Sequence, residues 1–151
     1  MADTHLYPVL VEWTGGRSGS GSVTAQTSGE SVGLAVPSEF GGAGGSGNPE
    51  ELLAMAIAGC YSVTFGIIAE NRKIPLQDLK VEAVGEVEQA GMQFTYKKVT
   101  IKPTITVSAD IDEATMKMAE DMAHKADLYC IITNAVRDKL EIVVEPTFVK
   151  G

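Results

Sequence analysis

The feature that most constrains this chain is a run of 18 residues, Leu52 to Ala69, without a single charged side chain. It follows a strong helix start. Asn48 can cap the orphan amides, Pro49 is pre-set for the first turn, and Glu50 and Glu51 oppose the positive helix end. The pattern predicts a helix continuing to about Asn71. Eighteen residues is the lower edge of a bilayer span. However, the run contains Gly59, Tyr61, Ser62, Thr64 and Gly66, is bounded by Glu50, Glu51 and Glu70, and has no second apolar stretch for company. A helix apolar on all sides in a soluble protein is enclosed by protein, so a central helix is expected rather than a membrane span. Along it Ala54, Ala58, Ser62 and Gly66 recur every fourth residue, a stripe of small side chains that admits another backbone closely.

The remaining composition fits a folded chain built on that helix. With 151 residues, 44% of them apolar, one domain covering residues 1–151 can bury its own core. Twelve basic residues against 20 acidic ones give a net charge of −8, which repels a phosphate backbone or an anionic membrane surface. Met1 to Trp13 has no basic stretch leading into an apolar run, and a cytoplasmic protein is expected. In that reducing compartment Cys60 and Cys130 are either two inert buried thiols or a transient redox pair. They are too few for a structural zinc site, because His5 and His124 show no ligand spacing.

Alternation in Val9, Val11 and Trp13, and again from Val23 to Thr27, predicts strands on either side of Gly15-Gly16-Arg17-Ser18-Gly19, a turn with Arg17 at its tip. Another short strand, Ser31 to Val36, ends at Pro37. Gly41 to Gly47 forms a second glycine-rich loop. Beyond Pro75, Leu79 to Glu88 and Phe94 to Val107 read as antiparallel strands joined at Ala90-Gly91. A second helix opens at Asp110 or Asp112 and runs to about Ala126. Cys130 then leads a short helical segment, Ile131 to Val136, and a last strand covers Leu140 to Val149.

Three motifs bear on chemistry. Gly42, Gly44 and Gly47 match the dinucleotide fingerprint literally, but Pro37, Ser38 and Glu39 separate them from the preceding strand and no ribose-binding acid ends a second strand, so a tight backbone loop is the better reading. Cys60 sits near the middle of the apolar helix, where a free cysteine commonly serves as a small core hydrophobe. Burial disfavours a thiolate, so reactivity there requires a nearby cation. Arg17 is a candidate, although taken alone it reads as a solvated turn residue. His124 would make Cys60 a hydrolase nucleophile only with an orienting third group, which the sequence does not mark; a solvated histidine is the plainer reading.

Taken together, Val32-Gly33-Leu34-Ala35-Val36-Pro37, Gly41 to Gly47, Asn48-Pro49-Glu50-Glu51-Leu52 and Ala58-Gly59-Cys60-Tyr61 resemble the core of the organic hydroperoxide resistance and osmotically induced protein superfamily. Gly15-Gly16-Arg17 upstream and Cys130 with Asn134-Ala135 downstream are similar in type and order. The Gly-Gly-Arg turn makes the chain look closer to the organic hydroperoxide reductase branch. One departure stands out: members commonly have proline after the second cysteine, and here that residue is Ile131.

The resemblance implies an α+β fold, with curved antiparallel sheets around a long central helix in an intertwined homodimer. It implies a thiol peroxidase in which Cys60 attacks the peroxide, Cys130 resolves the product, and Arg17 with Glu50 polarises thiolate and substrate. No bound cofactor is implied; the reductant would be an external dithiol, of the lipoyl type carried on proteins. Ten residues along a continuous helix span about 15 Å, so Glu50 would serve the Cys60 of the other subunit. The rival reading is a non-catalytic dimeric module that binds an apolar ligand, with a Cys60/His124 hydrolase behind it.

Overall fold

The computed structural model describes residues 2–151 and divides into two compact units, one ending at Leu52 and the other covering Leu53–Gly151. In the first unit, β1 (Val9–Thr14), β2 (Ser20–Ala25) and β3 (Ser31–Ala35) form an antiparallel sheet in the order β1-β2-β3. The register pairs Thr14 with Ser20, which leaves residues 15–19 as the expected turn. Gly15 stands there at φ 96°, a conformation that side-chain-bearing residues rarely adopt. The amide of Gly19 closes the turn on the Gly16 carbonyl at 2.9 Å.

The second glycine loop folds back on β3 rather than opening outward. Gly44 donates to the Val36 carbonyl at 3.0 Å, and Ala35 donates to that of Gly47 at 2.9 Å. At Gly42 a Cβ would collide with the Val36 backbone, so this glycine allows close backbone packing and not a phosphate cradle. A 3-10 turn, Ser38–Phe40, precedes the loop. After it Asn48 and Glu51 bond reciprocally. The Asn48 Oδ1 accepts from the Glu51 amide and its Nδ2 donates to the Glu51 carboxylate, both at 2.8 Å, the capping arrangement that starts a helix.

That helix, α1 (Pro49–Asn71), contributes Ile57, Tyr61, Phe65 and Ala69 to the core of the second unit. Their four-residue spacing puts them on one face. The antiparallel hairpin of β4 (Leu76–Ala90) and β5 (Gln93–Val107) supplies Val99, Ile101, Ile105 and Val107, all fully buried. The helix α2 (Glu113–Lys125) adds Ala119, Met122 and Ala123 to the same cluster. It opens at Asp112, the second of the two expected starts, whose side chain accepts from the Thr115 amide at 2.7 Å. A 3-10 turn (Ala126–Tyr129) and α3 (Ile131–Val136) follow.

The predicted last strand is two strands. β6 (Glu141–Val144) and β7 (Thr147–Lys150) both pair with β5, and both run parallel to it, so this sheet is mixed rather than wholly antiparallel. The interruption, residues 145–146, falls opposite Lys102 and Pro103. Pro103 and Pro146 lack amide hydrogens, so neither can donate to a ladder there.

Candidate functional site

The two cysteines reach one place by different routes. Cys60 lies in the regular part of α1, partly buried, on the flank of the helix that also carries Thr64 one turn later. Cys130 lies in the irregular step between the 3-10 turn and α3, and it is completely buried. Although 70 positions apart in sequence, they are both free thiols, near enough to hydrogen-bond and to feel one another's charge.

Around Cys130 the polar contacts are specific. Its sulfur is 3.3 Å from the Ala126 carbonyl oxygen and 3.6 Å from Thr64 Oγ1, so its S–H points between the two acceptors. Burial pushes this thiol up to about 11; the Thr64 hydroxyl pulls the other way, and the neighbouring Cys60 adds to the rise. Both effects follow from the low polarity of the site, which penalises an anion unless a donor faces it.

The segment that carries Cys130 is strapped by one arginine. Arg137 donates through Nη2 to the Asp127 carbonyl at 2.7 Å, through Nη1 to the Asp127 carboxylate at 3.2 Å, and through Nε to Asn134 Oδ1 at 3.1 Å. Asn134 in turn donates to the Leu128 carbonyl at 3.0 Å, while the Cys130 amide donates to the Asp127 carbonyl at 3.2 Å. Asp127 is almost wholly buried, so its charge is tolerable only because this guanidinium meets it. On the other side, the Tyr61 hydroxyl donates to the Ala123 carbonyl. This ties α1 to the end of α2, and burial together with Asp127 holds Tyr61 in its neutral form well above the usual phenol range.

The other expected site residues lie elsewhere in the chain. Arg17 is exposed at the tip of the β1–β2 turn, its Cδ 3.3 Å from where a Cβ on Gly41 would stand. Glu50 occupies the first turn of α1 and is partly buried. His124 is exposed in the last turn of α2, which accords with a solvated residue. Among the described residues no three His, Cys, Asp or Glu side chains cluster as a metal site would require.

Sequence reasoning passed over Thr64, Thr133, Asp127 and Arg137. A signal for the first two was present, since each cysteine is followed by a threonine at helical spacing, four residues after Cys60 and three after Cys130. Nothing local marks Asp127 and Arg137 as a pair, because their partnership depends on how the 3-10 turn and α3 fold against each other.

Comparison with known proteins agrees with this architecture. An uncharacterised protein of Bacillus subtilis, YmaD, is 29% identical over 151 residues, covering 100% of this chain and 99% of its own. An organic hydroperoxide resistance protein-like 2 of Staphylococcus epidermidis is 27% identical over 144 residues, 94% of this chain and 96% of that one. Among solved structures, an organic hydroperoxide resistance protein OsmC from Legionella pneumophila superposes with a TM-score of 0.72 at 26% identity, covering 95% of this chain and 99% of that one. The model of the OsmC-like protein family matches residues 42–145, a span that holds the glycine loop from Gly42 on, both cysteines and the strap that positions Cys130, and the chain therefore belongs to the OsmC-like family.

Proposed function

We propose that this protein is a thiol-dependent peroxidase that reduces organic hydroperoxides to alcohols through a Cys60–Cys130 disulfide cycle. The observation that carries this reading is the meeting of a partly exposed thiol on a rigid helix with a fully buried thiol from a distant segment, both reduced. Two inert core cysteines need not meet. The names of the relatives, hydroperoxide resistance proteins from Staphylococcus epidermidis and Legionella pneumophila, point to the same chemistry.

In this reading the Cys60 thiolate attacks the outer peroxide oxygen and the O–O bond breaks. The alkoxide leaves, takes up a proton from solvent to become the alcohol, and Cys60 becomes a sulfenic acid. Cys130 then displaces hydroxide from that sulfur, which departs as water, and the disulfide forms. An external dithiol, of the lipoyl type on the family likeness, returns both thiols. Apolar surroundings, with Cys130 embedded in the core cluster and Cys60 packed against it, suit a lipid-like peroxide better than hydrogen peroxide.

Arg17 and Glu50 complete the proposal as the pair that stabilises the thiolate and the departing alkoxide. A homodimer belongs to it too. By length and composition α1 is apolar enough to cross a membrane, yet little of its apolar stretch is buried within this chain. Met55, Val63 and Ile67 form an exposed apolar row opposite the buried one. The row that faces outward is therefore this one, while the small-residue stripe Ala54, Ala58, Ser62 and Gly66 is partly covered on the flank. A second copy of α1 would cover the exposed row, and the proposed dimer assigns Glu50 of one chain to Cys60 of the other.

The test is stoichiometric oxidation of the reduced protein with an organic hydroperoxide, followed by mass spectrometry of the Cys60–Cys130 linkage. A disulfide formed with one alcohol released per peroxide is the expected result. Thiols that survive peroxide unchanged would leave the apolar-ligand module as the better reading.

A further inference from the structure

Two threonine hydroxyls, one from α1 and one from α3, act on the Cys130 thiol. Thr64 reaches it from α1, with Oγ1 at 3.6 Å. Thr133 lies on α3, where Cys130 is the residue before the first turn and Thr133 occupies the third position of the helix, and its hydroxyl favours the Cys130 thiolate. A side chain at that position characteristically bends back over the preceding residue. Thr133 is completely buried, and its hydroxyl has no conventional hydrogen-bond partner among the described residues. A buried hydroxyl without a partner costs free energy, so its placement beside a sulfur calls for a reason beyond packing.

No cation meets that sulfur among the contacts around it. Arg137 is committed to Asp127 and Asn134. The titratable groups that face it, Cys60 and Tyr61, both from α1, bring no positive charge to it. Yet the proposed cycle demands negative charge there twice. In resolution, Cys130 gives up its proton and its sulfur forms the S–S bond while the S–O bond of the Cys60 sulfenic acid breaks; proton and hydroxide leave together as water. The sulfenic sulfur is reduced and the Cys130 sulfur oxidised, with no further redox partner. In the return half, an external dithiol attacks the Cys60 sulfur and Cys130 departs as a thiolate, again inside the core.

We propose that Thr64 and Thr133 are further catalytic residues of this cycle, their paired hydroxyls donating to the Cys130 sulfur whenever it carries negative charge. This rests on the peroxidase reading for its purpose, but not for its chemistry. In the reduced thiol the Thr64 hydroxyl accepts, and rotation of an O–H turns acceptor into donor without moving heavy atoms. The direction in which both threonines act on Cys130, towards the thiolate and against the effect of burial, accords with this role.

The experiment has two arms. In a Cys60→Ser background, the ionisation of Cys130 is followed by thiolate ultraviolet absorbance, with the Cys60→Ser/Cys130→Ser protein subtracted to remove tyrosine. Thr64→Val and Thr133→Val, which keep the shape and lose the hydroxyl, are each expected to raise the midpoint, and Thr→Ser at either position to restore it. In the protein with both cysteines, each valine variant is expected to form the Cys60 sulfenic acid at the original rate but to convert it to disulfide about tenfold more slowly, as one unit in thiolate affinity implies. Unchanged midpoints in both valine variants, or serine variants that fail to rescue, would overturn the proposal. If the midpoints shift but peroxide never oxidises Cys60, the peroxidase reading falls and the thiolate-binding role of the two threonines stands.

Discussion

Cys60 and Cys130 are placed by opposite means. Cys60 rides on α1, whose backbone bonds and buried row of Ile57, Tyr61, Phe65 and Ala69 fix its position whatever the side chain at 60 does. Cys130 has less support: its amide donates to the Asp127 carbonyl and its carbonyl accepts from the Asn134 amide. It stands in the step between a 3-10 turn and a six-residue helix, too short to be stable by itself, and side chains hold it: Arg137 on Asp127, Asn134 on Leu128, Thr64 on the sulfur. The difference teaches that Cys60 is held by secondary structure and Cys130 largely by a polar network. Substitutions at Asp127, Asn134 or Arg137 are therefore expected to misplace Cys130 while leaving α1 in place.

The largest effect expected on that contrast comes from the thiols themselves. Cys60→Ser abolishes peroxide consumption, whereas Cys130→Ser retains one turnover per chain and accumulates sulfenic or higher acids at Cys60, measured by mass after peroxide addition. Full turnover in Cys60→Ser, or loss of the first oxidation in Cys130→Ser, would dissolve or reverse the two roles. Next in size is Arg17→Ala, expected to slow oxidation of Cys60 about tenfold at neutral pH and, since Arg17 is exposed, to leave stability within about 0.5 kcal/mol. Stopped-flow loss of free thiol reads the rate; no change in it removes Arg17 from the site.

Arg137→Ala should then separate the two thiols most cleanly. It leaves the buried Asp127 carboxylate without its partner, a loss of about 1–3 kcal/mol in urea unfolding, because the arginine side chain is still about 35% exposed. Sulfenic acid formation at Cys60 is expected to keep its rate while disulfide formation slows several-fold. Equal slowing of both steps would mean that the strap supports the whole unit and not Cys130 alone.

The smallest effect is in the pH dependence of stability. Cys130 has a folded value of about 11 against 9.0 for the free thiol. Below pH 9 the thiol is neutral in both states and the stabilisation is fully present. As pH rises from 9 towards 11 the unfolded chain loses its proton first, so stability falls. A Cys130→Ser chain should lack this part of the alkaline decline in its urea midpoint, and identical declines in the two proteins would show that Cys130 is not shielded in solution.

Much of this was legible from residues alone. The Asn48-Pro49-Glu50-Glu51 start, the long charge-free helix, the turn at Gly15 to Gly19 and the hairpin at Ala90-Gly91 all appear as the local patterns demand, because capping, turn conformation and alternation act within a few residues. The split of the last strand was marked by Pro146, but its parallel pairing with β5 was not, since the direction of pairing depends on where the preceding helices deliver the chain.

The sequence by itself determined that the chain would be built on one capped, apolar helix bearing a cysteine. It also specified that a second cysteine would follow a second helix, for these are properties of local hydrogen bonding and of which side chains water rejects. Only the tertiary structure decided that Cys130 lies beside Cys60 and Thr64, that the Thr133 hydroxyl is buried, and that Arg137 straps Asp127. Contacts between residues 66 or 70 positions apart are fixed by the packing of whole elements around a shared core, and no local propensity encodes that packing.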